Sequence, residues 1–146
     1  PIFLKKTLNE QREHFKRMPD QGRRKRQEAV YKDGLNAPIV EDAIFVFNKF
    51  MEDAEFALRK NSYLAGPQYS LADAAATPYL NRLNDLNFLQ VWADSKPHVL
   101  DWFKRIKERP SFKSAITSFL TQKDIEQFKN VDDSGPAKAK FLLKMC

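Results

Sequence analysis

The segment SYLAGPQYSLADAAATPYLNRL, residues 62–83, combines a complete helix-start signal with a helix that carries very little charge. Ser70 is a candidate N-cap, and Asp73 stands three residues later, where its carboxylate can accept a hydrogen bond from the Ser70 amide. The residues that follow, as far as Leu86, are mostly Ala, Leu and Tyr. A helix that is apolar on nearly every side is typical of a buried position. The segment therefore predicts the central helix of an all-α bundle.

Periodic apolar residues predict further helices on both sides of this segment. Between Pro38 and Leu58, apolar residues recur at steps of three and four, the pattern of a packed amphipathic helix. Pro97 suits the first turn of another helix, and the Arg109-Pro110 pair ends it. Further helices are predicted at 3–17, at 23–32 with Gly34 as C-cap, at 111–120 and at 137–145. The predicted fold class is all-α, a bundle of about five to six helices.

Composition limits the functions that such a chain can have. Its 146 residues suit a single domain, and 42% of them are apolar. No apolar stretch approaches the ~20 residues that span a bilayer, and the first residues lack a signal-peptide pattern. We therefore expect a cytoplasmic protein without a membrane partner. Cys146 is the only cysteine, and His14 and His98 are the only histidines, so no metal site is expected.

A net charge of +6 raises the question of an anionic partner. The positive charge is concentrated in the run Arg23-Arg24-Lys25-Arg26. This run is short and lacks the aromatic or glycine residues that would stack or cradle bases. A solvated helix face is the favoured interpretation and an anion-binding patch is the alternative. Nucleic acid is not an expected partner.

Two segments resemble the C-terminal helical domain of glutathione transferases. YLAGPQYSLADAAATPYLNRL, residues 63–83, resembles the turn and capping box that begin the core helix of those proteins. PHVLDWFKRIKERPSF, residues 97–112, is similar to the family segment that follows, with Pro97, Trp102 and Arg109-Pro110 in the expected relation. The resemblance covers residues 38–120 and looks bacterial, like the beta-etherase-like subgroup. It implies a glutathione-transferase C-terminal-like domain at 1–122, with an extension at 123–146 that packs on it or trails from it.

The same resemblance implies a second domain and a co-substrate. Complete members of the family begin with a thioredoxin-like domain, which holds glutathione and supplies the Tyr, Ser or Cys that activates its thiol. No βαβ pattern precedes Phe3. We therefore expect this chain to be part of a longer polypeptide, with a stand-alone domain as the alternative. The full-length protein would use glutathione on a hydrophobic small-molecule electrophile and could form a homodimer, whereas this chain alone would hold no cofactor and no catalytic residue.

In the family, the helical domain forms the wall of the electrophile site. On the predicted core helix, Asp73, Thr77, Asn81 and Asn84 share one face, which would border either the cleft between domains or solvent. The candidate substrate-binding residues are Phe3, Thr77, Asn81, Arg82 and Asn84. Ser70 and Asp73 are assigned a structural role as the capping box.

Two functions from different classes remain open. The leading hypothesis is the substrate-side domain of a glutathione transferase that conjugates glutathione to a hydrophobic electrophile, or uses it to cleave one. The alternative is a non-catalytic interaction module, because similar helical domains act as assembly scaffolds in translation factors and aminoacyl-tRNA synthetases. The basic run at 23–26 would then suit an acidic protein or a nucleic acid.

Overall fold

The structure, a computed structural model, describes residues 7–144, and it is helical with no β-strand in that range. Phe3 and Cys146 lie outside the described residues. The all-α prediction is confirmed. The described residues form eight α-helices rather than five or six. The short helix at Gln122–Lys129 was not predicted, because it has too few apolar repeats to be recognised from periodicity. They are α1 (Leu8–Lys16), α2 (Gln21–Asp33), α3 (Pro38–Leu58), α4 (Leu71–Asp85), α5 (Pro97–Lys107), α6 (Pro110–Ala115), α7 (Gln122–Lys129) and α8 (Ser134–Lys144).

The described residues divide into two compact units between Phe45 and Val46. The boundary expected between residues 122 and 123 stays a prediction. Helix α8, which lies beyond it, packs on the short 3₁₀ segment Phe88–Val91 of the second unit.

The first unit contains α1 and α2, each with a polar residue at its start. Thr7 and Glu10 form a capping box at α1, and the Asp20 carboxylate accepts a hydrogen bond of 2.5 Å from an amide in the first turn of α2. Helix α2 ends at Gly34, as predicted, where a φ of 56° favours glycine. The buried Phe15 ring meets the Tyr31 ring edge-on at 5.2 Å between centroids.

The second unit is built around α5, whose apolar face is fully buried. Tryptophan, phenylalanine and isoleucine side chains of α5 pack against small and branched apolar residues of α3 and α4. The buried core consists of Met51, Ala54, Leu58, Ala76, Leu80, Leu83, Trp92, Val99, Trp102, Phe103 and Ile106. This face explains the strong three- and four-residue periodicity of α5.

Helix α4 differs from its prediction. It was expected to be buried on all sides, but its buried residues lie on one side only: Asp73, Ala76, Thr77, Leu80 and Leu83. On the other side, the Leu71 side chain is 87% exposed and the Tyr79 side chain is 63% exposed. The prediction is therefore wrong for the described residues. An apolar composition shows that a helix can pack against neighbours on any side. Here α3 and α5 cover only one side of α4.

Candidate functional site

The start of α4 is held by the predicted capping box. The carboxylate of Asp73 accepts hydrogen bonds from the Ser70 amide at 2.9 Å and from the Ser70 hydroxyl at 2.8 Å. The Ser70 hydroxyl in turn accepts a bond from the Ala72 amide at 3.2 Å. The capping role assigned to Ser70 and Asp73 is thus present in the structure.

The Asp73 carboxylate also holds two distant groups, and it is completely buried. Its Oδ1 accepts hydrogen bonds from the Leu64 amide at 3.0 Å and from the Trp102 indole at 2.8 Å. Burial would raise the pKa of Asp73, but the bonds from Leu64, Ser70 and Trp102 outweigh it and lower the pKa below its ordinary value. The charged carboxylate therefore ties the loop before α4, the first turn of α4 and the middle of α5 together.

The polar residues predicted to face a substrate do not meet at one place. Thr77 is 7% exposed, and its hydroxyl donates to the Asp73 carbonyl at 2.7 Å. The Asn81 amide donates to the Asp85 carboxylate at 3.0 Å, and Asn84 is exposed. The guanidinium carbon of Arg82 lies 5.6 Å from the centroid of the Phe128 ring.

The expectation that this polar face borders a cleft or solvent is therefore wrong for its first two members. Asp73 and Thr77 point into the core, because the hydrogen bonds that they make lie between helices or within α4. The substrate-binding roles of Thr77, Asn81, Arg82 and Asn84 stay predictions, and Phe3 lies outside the described residues.

An apolar groove runs between α3 and α4 in the second unit. It encloses about 220 Å³ and is lined by Val46, Phe47, Phe50, Ala76 and Tyr79. The Val46 side chain is 68% exposed, and the lining offers no polar surface. The sequence predicted a packed amphipathic helix at Pro38–Leu58 and gave no indication of the groove. The available signal was a pair of apolar residues, Val46 and Tyr79, which lie off the buried stripes of their helices.

A second cavity of about 210 Å³ lies beside the first turns of α4. Its wall includes Tyr69 and Pro78, together with Arg109 from the α5–α6 connection and Phe112 from α6. The Arg109 guanidinium carbon lies 3.9 Å from the centroid of the Tyr69 ring. The sequence identified Arg109 as the end of a helix but gave no sign that its charge would stand over a ring.

Glu55 carries a buried carboxylate that no sequence motif predicted. Its Oε2 accepts a hydrogen bond of 3.1 Å from the Val99 amide in the first turn of α5, and its Oε1 lies 2.6 Å from His98 Nδ1. Burial would raise the pKa of Glu55, but the contacts with His98, Val99 and Arg59 outweigh it and lower the pKa. Glu55 therefore supplies from α3 the cap that the residue before α5, Lys96, does not provide.

The basic run at 23–26 lies on α2, in the first unit. Arg23, Lys25 and Arg26 are exposed, whereas Arg24 donates a hydrogen bond of 2.5 Å to the Met18 carbonyl. Arg23 and Arg26 border a cavity of about 420 Å³. Within residues 7–144, no helix is long and apolar enough to cross a bilayer. That same range contains no group of three or more His, Cys, Asp and Glu residues that could hold a metal.

Comparison with known proteins points to one family. Residues 46–110 match the family described as "Glutathione S-transferase, C-terminal domain". A "Glutathione S-transferase TCHQD" of Arabidopsis thaliana is 29% identical over 72 residues, which are 49% of this chain and 27% of that protein. A tetrachloro-p-hydroquinone reductive dehalogenase of Sphingobium chlorophenolicum is 31% identical over 80 residues, or 55% and 32% of the two chains. A "Probable glutathione S-transferase GSTF1" of Oryza sativa subsp. japonica is 33% identical over 87 residues, which are 60% of this chain and 39% of that protein.

The similarity covers only part of each relative. The matched stretches amount to between 27% and 39% of the length of these relatives, and no solved structure matches the chain. The beta-etherase-like subgroup stays a prediction. The family match runs from the groove residues of α3 through the capping box of α4 to the first residue of α6. Residues 46–110 are thus similar to the C-terminal domain of glutathione S-transferases.

Proposed function

We propose that this chain is the substrate-side domain of a glutathione transferase that conjugates glutathione to a hydrophobic electrophile, or uses glutathione to cleave one. The observation that carries the proposal is the uncovered apolar face of α4, together with the groove beside it. The proposal includes glutathione as co-substrate, a thioredoxin-like N-terminal domain, a homodimeric protein and a cytoplasmic location.

The uncovered face of α4 supports a second domain. Leu71, Ala75 and Tyr79 are spaced by four residues, so they lie on one side of the helix, and all three are exposed. Large contiguous apolar patches are rare on monomeric proteins and mark contact surfaces. The thioredoxin-like domain implied by the family is the partner that we assign to the Leu71 and Ala75 end of this face, whereas Tyr79 stands at the groove.

The groove between α3 and α4 supports a hydrophobic electrophile. An aromatic ring fits an apolar cavity of about 150 Å³ in general, and the groove encloses about 220 Å³. The reductive dehalogenase relative is named for tetrachloro-p-hydroquinone, an aromatic compound, which is consistent with this class. In the proposed reaction the thioredoxin-like domain activates the glutathione thiol, and this domain holds the electrophile against it. Thr77, Asn81, Arg82, Asn84 and Phe3 remain proposed contacts of the electrophile.

Steady-state kinetics of the full-length polypeptide with glutathione and 1-chloro-2,4-dinitrobenzene test this proposal. Replacing Tyr79 by Ala should raise the KM for the electrophile by about fivefold, which corresponds to roughly 1 kcal/mol of lost apolar contact. The KM for glutathione should not change. The control is Phe119→Ala, because Phe119 is also an exposed aromatic residue but does not line the groove. Absence of any glutathione-dependent turnover, or equal effects of both variants, would count against the proposal.

The interaction module remains the second candidate, and the exposed basic residues of α2 favour it. Such a module would bind an acidic protein or a nucleic acid with an affinity that falls steeply as salt is raised. Replacing Arg23 and Arg26 by Gln should then weaken binding to a polyadenylate strand or to an acidic protein. A full-length protein that turns over glutathione and shows no salt-dependent binding excludes this candidate.

A further inference from the structure

The cavity between α4 and the α5–α6 connection has the composition of a small-ligand site. We propose that it binds a small organic anion, a carboxylate attached to a single ring, with Arg109 as the group that holds the carboxylate. This inference does not depend on the glutathione chemistry proposed above.

The Arg109 side chain supplies an unused hydrogen-bond donor. Within the described residues, its Nε is buried and has no hydrogen-bond partner, and the guanidinium forms no salt bridge. A buried N–H without an acceptor is unfavourable, so such groups in folded proteins usually serve a bound water, ion or ligand. The Arg109 Nε therefore lacks an acceptor, and a carboxylate oxygen of a ligand can provide one.

The Tyr69 ring sets the orientation of that donor. The guanidinium carbon stands 3.9 Å from the ring centroid, so the ring covers the guanidinium on one side. The N–H groups of a guanidinium lie in its plane and can donate in parallel to both oxygens of a carboxylate. Tyr63 meets Tyr69 edge-on at 5.8 Å between ring centroids, which fixes the ring in turn.

Arg105, one helical turn earlier, shows the contrast. Its Nη2 donates a hydrogen bond of 2.7 Å to the Ser62 carbonyl, so its contact is with the protein backbone. Arg105 does not line the cavity, whereas Arg109 does. These two arginines on one stretch of chain thus differ in what they contact, and only Arg109 both lines the cavity and carries a buried donor without an acceptor.

The rest of the cavity selects the body of the ligand. Its volume is about 210 Å³, and Pro78, Ile106, Phe112 and Ile116 give it a largely apolar wall. Apolar cavities of about 150 Å³ hold benzene in other proteins. A single ring that carries one carboxylate fits both the volume and the charge, and benzoate is the simplest such compound.

Isothermal titration calorimetry of the purified protein with sodium benzoate, and with neutral benzamide of the same shape, tests the inference. Benzoate should bind with a dissociation constant of about 1 mM or lower, and benzamide at least about tenfold more weakly. Arg109→Gln should weaken benzoate binding at least about tenfold, and Arg105→Gln should leave it unchanged.

A second variant tests the inference independently, in case Arg109→Gln fails to fold. Ala115 lines the cavity and is exposed, so Ala115→Phe should fill the space and abolish benzoate binding while the melting temperature and Arg109 stay as they are. The inference is overturned if benzoate does not bind, if benzamide binds equally well, or if binding survives in either Arg109→Gln or Ala115→Phe. Equal binding of benzoate and inorganic phosphate would also overturn it, because the ring would then contribute nothing.

Discussion

The indole nitrogen of Trp102 donates a hydrogen bond of 2.8 Å to the Asp73 carboxylate, and both side chains are completely buried. The two carboxylate oxygens of Asp73 thus accept hydrogen bonds both from Ser70 at the start of α4 and from Trp102 in the centre of α5. The capping box of α4 is therefore part of the tertiary core, which distinguishes it from the exposed capping boxes of α1 and α7.

Replacing Asp73 by Ala should destabilise the protein by at least about 3 kcal/mol, because it leaves several buried donors without an acceptor. The matched control is Asp124→Ala at the start of α7, where the carboxylate accepts from the Thr121 amide at 2.9 Å and the Thr121 hydroxyl at 2.6 Å on the surface. That change should cost only about 1 kcal/mol. Urea denaturation of both variants measures the difference, and equal losses would mean that the tertiary bonds of Asp73 contribute little.

Two buried tryptophans allow the charged bond to be compared with a neutral one. Trp102 donates to the Asp73 carboxylate, whereas Trp92 donates to the Asn48 amide oxygen at 2.9 Å. A hydrogen bond to a charged group contributes about 1.5–3 kcal/mol and a neutral one about 0.5–1.5 kcal/mol. Trp102→Phe should therefore reduce the free energy of unfolding by about 1 kcal/mol more than Trp92→Phe. The opposite order in denaturant titrations would contradict the assignment of Asp73 as an ionised acceptor.

Stability should fall in acid because Asp73 and Glu55 both have a pKa lowered in the folded protein from the ordinary values of 3.8 and 4.5. The unfolded chain then binds protons more readily than the folded one, so acidification favours unfolding. The stabilising contribution is complete above about pH 5 and is lost as the pH falls through the lowered values. Urea midpoints measured between pH 7 and pH 3 should show this decline, and Glu55→Gln should make it shallower. Glu52→Gln, an exposed change on the same helix, should reproduce the wild-type profile.

Gly135 lies against the Phe88 ring, and a Cβ atom at this position would stand 2.7 Å from the Phe88 Cζ atom. Gly135→Ala should therefore destabilise the packing of α8 by about 1–3 kcal/mol. In α2, a Cβ on Gly22 would meet only the ends of two flexible side chains, at 3.3 and 3.4 Å. Gly22→Ala should change stability by less than about 1 kcal/mol. Thermal melts of the two variants make the comparison, and an unaffected Gly135→Ala protein would show that Phe88 moves aside freely.

The sequence predicts the features of this fold that depend on neighbours along the chain. Ser70 and Asp73 are three residues apart, and Gly34 follows its helix directly, so local chemistry determines their roles. The capping box of Thr121 and Asp124 has the same spacing and could have been recognised in the same way. The periodic stripes of α3 and α5 similarly reveal their buried faces.

Features that depend on residues far apart were not predictable in this way. Asp73 and Trp102 are 29 positions apart, and Glu55 and Val99 are 44 positions apart, so no short pattern joins them. The exposure of Leu71 and Tyr79 was missed for a related reason, since composition shows that a side chain is apolar but not whether a neighbour covers it. The cavity beside Arg109 was not predictable for the same reason, because residues far apart in the sequence form its wall.

The cap that Glu55 provides has a consequence for the order of folding. Helix α4 carries its own start signal within four residues, so it can nucleate from its own sequence. Helix α5 opens with Pro97 and receives its acceptor from a carboxylate on α3, which arrives only when the two helices have come together. We therefore expect α5 to become persistent only after α3 has docked, and α4 to form ahead of α5.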